Sequence, residues 1–401
     1  MEKQDYPDQL QYPGGPPVPP YDLAGWTLPM QMGIHVEKVA TSFKAKTKAV
    51  AWSNPTEGPV SGDAGFGYVL DNRSNLSAKA INRLQALGAE VWLAEATLQF
   101  GKNVYKPGSY IIKGSEEVNS EVNNLAKETG LNFQGLAEQP EVEMNKLNAV
   151  KVGIYKSWVA NMDEGWTRWI LDQHEFSVDT LHNSDLLEKD LSDYSAIILP
   201  SQSKQRILNG YTTGTMPEEY TGGVALQGSL MLQEYVEAGG VLIALDAATD
   251  FAIDQFGLPV QNITAGLSSK QFFIPGSLVR ARVDPEHPLS YGSQPELAAS
   301  FSRSRAFKTV TKSRKGEGGN EQTKVAPAPP VEVIVRYGEK DILMSGWAKG
   351  QDKYLKNKAA MMSVELGKGQ VILFGFKPQF RGQPRASYRL LFNSIYAGAL
   401  E

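Results

Sequence analysis

The sequence predicts an α/β protein: a doubly wound parallel sheet with an antiparallel extension, preceded by a smaller N-terminal α/β domain. Three observations lead there. From about residue 48, apolar runs of strand length alternate with amphipathic segments of helix length. Around residue 149 that alternation restarts, as it does when a second unit begins. From Val279 on, strand signals follow one another with few helical segments between them, which marks the extension.

Residues 1–45 read as a proline-rich linker and docking segment. Pro7, Pro13, Pro16, Pro17, Pro19, Pro20 and Pro29 flank Gly14-Gly15 and favour extended or polyproline backbone over helix. Such a stretch suits a chain leaving a preceding domain. Leu23, Trp26, Leu28, Met30 and Met32 then supply apolar groups for docking on something folded. Residues 46–145 form the small domain. Ala49 to Trp52 and Phe66 to Leu70 are strand signals. The next segment has Asn75 or Ser77 as helix cap, Ile81, Leu84 and Leu87 on one face, and Gly88 as stop. With Val91 to Leu93 as the following strand, Phe66 to Ala94 reads as a βαβ unit. Tyr110 to Ile112 is another strand, and Glu116 to Thr129 a helix closed by Gly130.

Residues 146–401 form the large domain. Val150 to Tyr155 is its first strand, followed by a helix that puts Trp166, Trp169 and Ile170 on one face, with core packing as their expected use. Phe176 to Val178 leads the second strand, Asp185 to Leu191 is a short helix, and Ala196 to Leu199 is a buried third strand. A polar loop is expected over 201–223. Leu226, Leu230, Tyr235 and Val236 then mark a helix stopped by Gly239, before the fourth strand, Val241 to Leu245. Val279, Ala281 and Val283 alternate with arginines, as in a half-buried strand. A mobile loop is expected over 311–330, followed by strands at Val331–Tyr337, Ile342–Trp347 and Ala359–Val364. Gly367 to Gly369 turn the chain into Val371 to Phe374, which rejoins the parallel sheet. A helix from Ser387 to about Ala397 closes the chain.

Composition removes several chemistries. The chain is 41% hydrophobic and 21% charged, with a net charge of −4. That balance gives no electrostatic reason to expect nucleic acid or an anionic membrane as partner. The Lys308 to Lys315 cluster reads as a solvated loop. With no cysteine there is no thiolate nucleophile, disulfide or thiolate metal site. No run reaches the roughly 18 apolar residues of a membrane helix. The opening Met1 to Asp5 is polar, so export to an extracellular or periplasmic site would require a signal further upstream.

Two segments, Tyr194 to Pro200 and Tyr235 to Ile243, resemble the class I glutamine amidotransferase-like fold, which is flavodoxin-like. Three more, Pro20 to Pro29, Leu70 to Asn75 and Leu373 to Arg381, resemble the region C-terminal to the peptidase domain in large bacterial zinc carboxypeptidase A-type proteins. The resemblance spans nearly the whole chain and implies an upstream peptidase domain as partner. Amidotransferase chemistry requires a cysteine on the turn after a central strand, activated by a histidine that a glutamate orients. By strand order Asp246 occupies the cysteine position, and Lys377 and Gln379 stand where base and orienter belong. These are vestigial triad positions, and no catalytic residue is assigned.

Other sites are weaker still. Ser201, Gln202 and Ser203 follow the third strand, and Tyr211 and Tyr220 lie in the same loop, a candidate ligand loop for peptide or carbohydrate. None of His35, His174, His182 and His287 accompanies a Gly-x-Ser-x-Gly elbow. No histidine begins a His-x-x-Glu zinc pair, so neither metal nor cofactor is expected. Asp246, Asp250 and Asp254 form a row read as a solvated, dipole-paired helix start, with a hard cation such as calcium as the alternative. Three functions therefore stand open: an accessory region, a carbohydrate- or peptide-binding module, and a hydrolase with unrecognised groups around Asp246 and Lys377.

Overall fold

A computed structural model describes residues 9–15, 18, 27–37, 39–49, 56–310 and 329–401. Most of the expected polyproline stretch, the strand signal at Val50 to Trp52, and residues 311–328 of the expected loop lie outside them.

Helix α1 (Leu28–Met32) precedes the small domain. It packs beside the outermost strand of the large sheet, yet Thr27 and Gln31 are its buried residues, while Leu28 and Met32 are exposed. The docking is therefore polar at its centre: Gln31 Nε2 donates to Thr27 Oγ1 at 2.7 Å.

The small domain comprises β1 (Val60–Ser61), β2 (Gly67–Leu70), α2 (Asn75–Ala86), β3 (Val91–Ala94), a hairpin of β4 (Leu98–Phe100) and β5 (Asn103–Tyr105), β6 (Tyr110–Lys113), α3 (Glu116–Thr129), β7 (Phe133–Leu136) and β8 (Met144–Leu147). Helix α2 is capped by Ser74, whose hydroxyl accepts from the Leu76 amide. Its sheet runs β1-β7-β2-β6-β3-β8. The expected βαβ unit is thus split, since β6 inserts between β2 and β3 and is antiparallel to both. Strands β2, β3, β6 and β7 with their two helices make a ferredoxin-like split βαβ arrangement. A central strand with a neighbour on each side satisfies its backbone polar groups without help, and local sequence does not say which neighbour comes back.

The large domain begins with β9 (Lys151–Tyr155), α4 (Met162–Gln173), β10 (Ser177–Leu181), α5 (Asp185–Glu188) and β11 (Ala196–Leu199). It continues through α6 (Lys204–Asn209), α7 (Ala225–Ala238), β12 (Val241–Leu245), α8 (Thr249–Gln255) and β13 (Val260–Asn262). Then come β14 (Ser277–Val283), β15 (Glu296–Phe301), β16 (Phe307–Thr309), β17 (Val331–Tyr337) and β18 (Leu343–Gly346). Helix α9 (Gln351–Tyr354), β19 (Ala359–Leu366), β20 (Gly369–Phe374) and α10 (Tyr388–Tyr396) complete it.

Strands β10-β9-β11-β12-β20 are parallel neighbours in that order. Numbered within the domain, this is 2-1-3-4-5, the flavodoxin-like order. Beyond β20 the sheet turns antiparallel through β19, β17, β14 and β15. Every residue of β11 and β12 is buried, because helices cover both faces there.

Three local expectations need correction. The 201–223 segment contains α6 and is not loop throughout. Helix α7 buries Gly228, Ser229, Leu232, Tyr235 and Val236, while Leu226 and Leu230 face outward. Of Trp166, Trp169 and Ile170 on α4, only Ile170 is in the core, where Leu171 joins it; Trp169 is exposed and meets Trp166 edge to face at 5.6 Å.

The two domains share one apolar core. Helix α10 lies in the seam: Tyr396 packs edge to face on Tyr110 at 6.1 Å, and its hydroxyl reaches Asn82 of α2 at 3.0 Å. Arg389, 2% exposed, donates to the Ser74 carbonyl and sits near the Tyr110 hydroxyl.

Candidate functional site

Parallel strands deliver their carboxyl ends to one rim, and in open α/β sheets ligands bind at that rim. Ser201 follows β11, Asp246 follows β12 and Lys377 follows β20, so the sheet brings these three to the same edge. Asp246 begins a single 3-10 turn that runs directly into α8, and its φ is +48°. A non-glycine residue with positive φ on a strand–turn–helix junction is the backbone shape of a nucleophile elbow.

The side chain at that elbow is sealed. Asp246 is 2% exposed. Its Oδ2 accepts from the Ser201 hydroxyl at 2.9 Å, and Ser201 Oγ in turn receives the Ala247 amide at 3.4 Å. Arg305 Nη1 stands 3.6 Å from Oδ1, close enough for charge attraction, although Oδ1 has no hydrogen bond among the described residues. Burial pushes the Asp246 carboxyl above its ordinary range, against the opposing pull of Arg305 and Lys377, with the Ser304 and Ser201 hydroxyls beside it.

The neighbouring charges are committed to one another. Arg305 Nη2 lies 2.9 Å from Asp250 Oδ2. Lys377 Nζ lies 2.7 Å from Asp163 Oδ2, with both side chains largely buried. Asp163 comes from the first turn of α4, where the chain leaving β9 reaches the rim. Gln379 is wholly buried beneath α4: its Nε2 donates to Thr167 Oγ1 at 3.0 Å and its Oε1 has no partner among the described residues. Asp246 and Lys377 therefore share a charge network, and Gln379 belongs to the packing of α4.

The loop residues divide. Ser201 and Gln202 are buried, and Gln202 Nε2 donates to the Val159 carbonyl at 3.3 Å. Ser203 occupies the cap position of α6 without a side-chain capping bond. Tyr211 bridges to Gly222 through backbone, and Tyr220 lies edge-on to Trp158 at 5.0 Å. Trp158 stacks flat on His182, centroids 3.9 Å apart, while His182 Nδ1 contacts the Lys156 carbonyl.

No histidine meets Ser201, whose partner is a carboxylate. His35 pairs with Glu37, His174 contacts the Ile170 carbonyl and Phe392, and His287 pairs with Glu332. Without a base in reach, a serine hydroxyl is a poor nucleophile. The acidic row is likewise broken up: Asp246 and Asp250 face Arg305, and Asp254 pairs with Lys204. The expectation of a solvated row fails at Asp246, which is buried. Among the described residues no three His, Cys, Asp or Glu side chains gather as a metal site.

Sequence reading missed Arg305, Ser304 and Asp163. Nothing local marks them: Arg305 and Ser304 come to Asp246, and Asp163 to Lys377, from distant parts of the chain.

No protein-family model matches the chain, and no curated protein matches it. Among solved structures it is similar to a ThuA-like protein from Bacteroides uniformis ATCC 8492, at 14% identity over 65% of this chain and 95% of that one, with a TM-score of 0.34. A PurLQS structure from Thermotoga maritima matches at 15% identity over 61% of this chain and 98% of that one, TM-score 0.38. A glutamine amidotransferase from the same organism matches at 11% identity over 58% and 77%, TM-score 0.34. Likenesses of this size carry no function across. The flavodoxin-like fold is established by the strand order itself.

Proposed function

We propose that this chain is a non-catalytic accessory region of a zinc carboxypeptidase-like hydrolase, built on a degenerate glutamine amidotransferase-like domain. The observation that carries the reading is the filled elbow. Where attack on an acyl group would need an exposed, activated nucleophile, Asp246 is buried, hydrogen-bonded by Ser201 and held near Arg305. Lys377 is engaged in an ion pair with Asp163 at 2.7 Å. The described residues do not fit a peptidase zinc site either, so zinc chemistry is assigned to the upstream peptidase domain and no step is routed through this chain.

The test is enzymatic. The purified chain is incubated with glutamine, a chromogenic ester and a peptide carrying a free carboxyl terminus. No turnover is expected, and the chain should associate with a peptidase domain encoded upstream of Met1. Hydrolysis that disappears in Asp246→Ala would overturn the reading in favour of a hydrolase.

A second reading has one specific observation behind it. Tyr220, 41% exposed, and the half-buried Trp158 form an aromatic wall beside the sheet rim, as peptide and carbohydrate sites often do. Thermal stabilisation by an oligosaccharide or peptide that Tyr220→Ala abolishes would support it.

A further inference from the structure

The small domain holds a cleft that neither the rim nor the sequence resemblance explains. About 800 Å³ in volume, it opens between the start of α2, the turn of the β4–β5 hairpin and the loop after α3. Clefts of roughly 300–1,000 Å³ hold small molecules.

Its polar groups favour one kind of ligand. Arg73 is fixed by its neighbour: Nε donates to Asp71 Oδ1 and Oδ2 at 3.0 and 2.7 Å, and Nη2 lies 2.6 Å from Oδ2. The side chain nonetheless stays 73% exposed, and Nη1 has no partner among the described residues. Lys102, on the hairpin turn, has no ion pair among the described residues. Tyr105 is 7% exposed and lines the cleft, and its hydroxyl has no hydrogen-bond partner among the described residues. Ser74, the cap of α2, also lines it, and the first turn of that helix carries no acid. Two cations therefore line the same space beside the cap of α2, and the one acid among the lining residues is already bound to Arg73.

We propose that this cleft binds a small oxyanion-bearing ligand, a carboxylate or a phosphate, through Arg73 and Lys102, with the Tyr105 hydroxyl as a neutral donor. The site stands independently of the accessory reading, since it uses no residue of the rim.

The experiment is calorimetric titration of the full chain with inorganic phosphate, with a short peptide bearing a free α-carboxylate, and with the same peptide amidated. Saturable binding of phosphate alone assigns a phosphate ligand; saturable binding of the free-carboxylate peptide, absent for the amide, assigns a carboxylate. Either supports the site if Arg73→Gln weakens it about tenfold, as loss of a charge-assisted hydrogen bond should. Tyr105→Phe should weaken it about threefold. Arg73 and Lys102 are surface residues, so melting temperature and circular dichroism report that these variants fold. Binding unchanged in the Arg73→Gln/Lys102→Gln double variant, or no saturation with any probe, would overturn the proposal.

Discussion

Asp246 meets three conditions that seldom coincide in an acidic residue: positive φ, almost complete burial, and a hydroxyl donor facing its carboxylate. Asparagine tolerates left-handed backbone and keeps an acceptor for Ser201, whereas alanine does neither. Asp246→Asn should therefore destabilise the protein less than Asp246→Ala. For the alanine variant about 2–4 kcal/mol is expected, from left-handed strain and the loss of a buried hydrogen-bond partner. Urea denaturation measures both, and equal losses would show that the elbow geometry stores nothing. The position of Asp246 after a central strand was legible in the sequence, because β12 is an unbroken apolar run ending in a polar residue. Its burial was not. That depends on Arg305, which arrives from a different part of the sheet.

Among the elements, the turn from β19 into β20 shows how a close approach dictates residue type. Gly367 has φ +66°, and a Cβ on Gly369 would come within 2.2 Å of the Gly240 carbonyl oxygen and 2.3 Å of that of Val236. The turn therefore seats the start of β20 against the end of α7, which fixes the register of β20 on β12. Gly369→Ala should cost about 1–3 kcal/mol, because backbone atoms must move apart in a packed layer. A melting temperature equal to that of the parent would refute this. The glycine turn, the return to the parallel sheet and the extent of α3 all followed from sequence, since glycine and capping signals act locally. The outward face of α7 did not. Leu226 and Leu230 suit a buried stripe, yet the side that packs carries Gly228, Ser229, Leu232, Tyr235 and Val236.

The whole molecule is joined through a charged and aromatic seam. Arg83 of α2 bonds Glu121 and Glu128 of α3 and also Glu175, which follows α4 in the large domain. Hydrogen bonds from Arg83 and Lys79 pull the Glu128 carboxyl down to about 2, and the bond from Arg83 also lowers that of Glu175. For acids with a depressed folded pKa, the stabilisation is present above the unfolded value and is lost as pH falls through the folded one. The Glu128 contribution should thus fade between 4.5 and about 2. His174 acts earlier. Burial lowers its pKa below 6.5, and Arg389, Arg385 and Lys79 add to the shift, while the Ile170 carbonyl opposes it. Its neutral form is favoured in the fold, so stability is full above 6.5 and declines as pH drops below that value. A pH series of denaturation midpoints should show the first decline just below 6.5, absent in His174→Gln. A first decline of the same size in that variant would assign it elsewhere.

The sequence by itself determined the parallel strands, their helices and the absence of a thiol. These are set by runs and punctuation a few residues long, and by composition. Only the tertiary structure decided that β6 would split the βαβ unit, that Arg305 and Asp163 would reach the rim, and that α10 would join two domains into one core. Those outcomes depend on which distant segments come to lie side by side. Burial and charge pairing at one residue are properties of its spatial neighbours, and the order of residues along the chain does not name them.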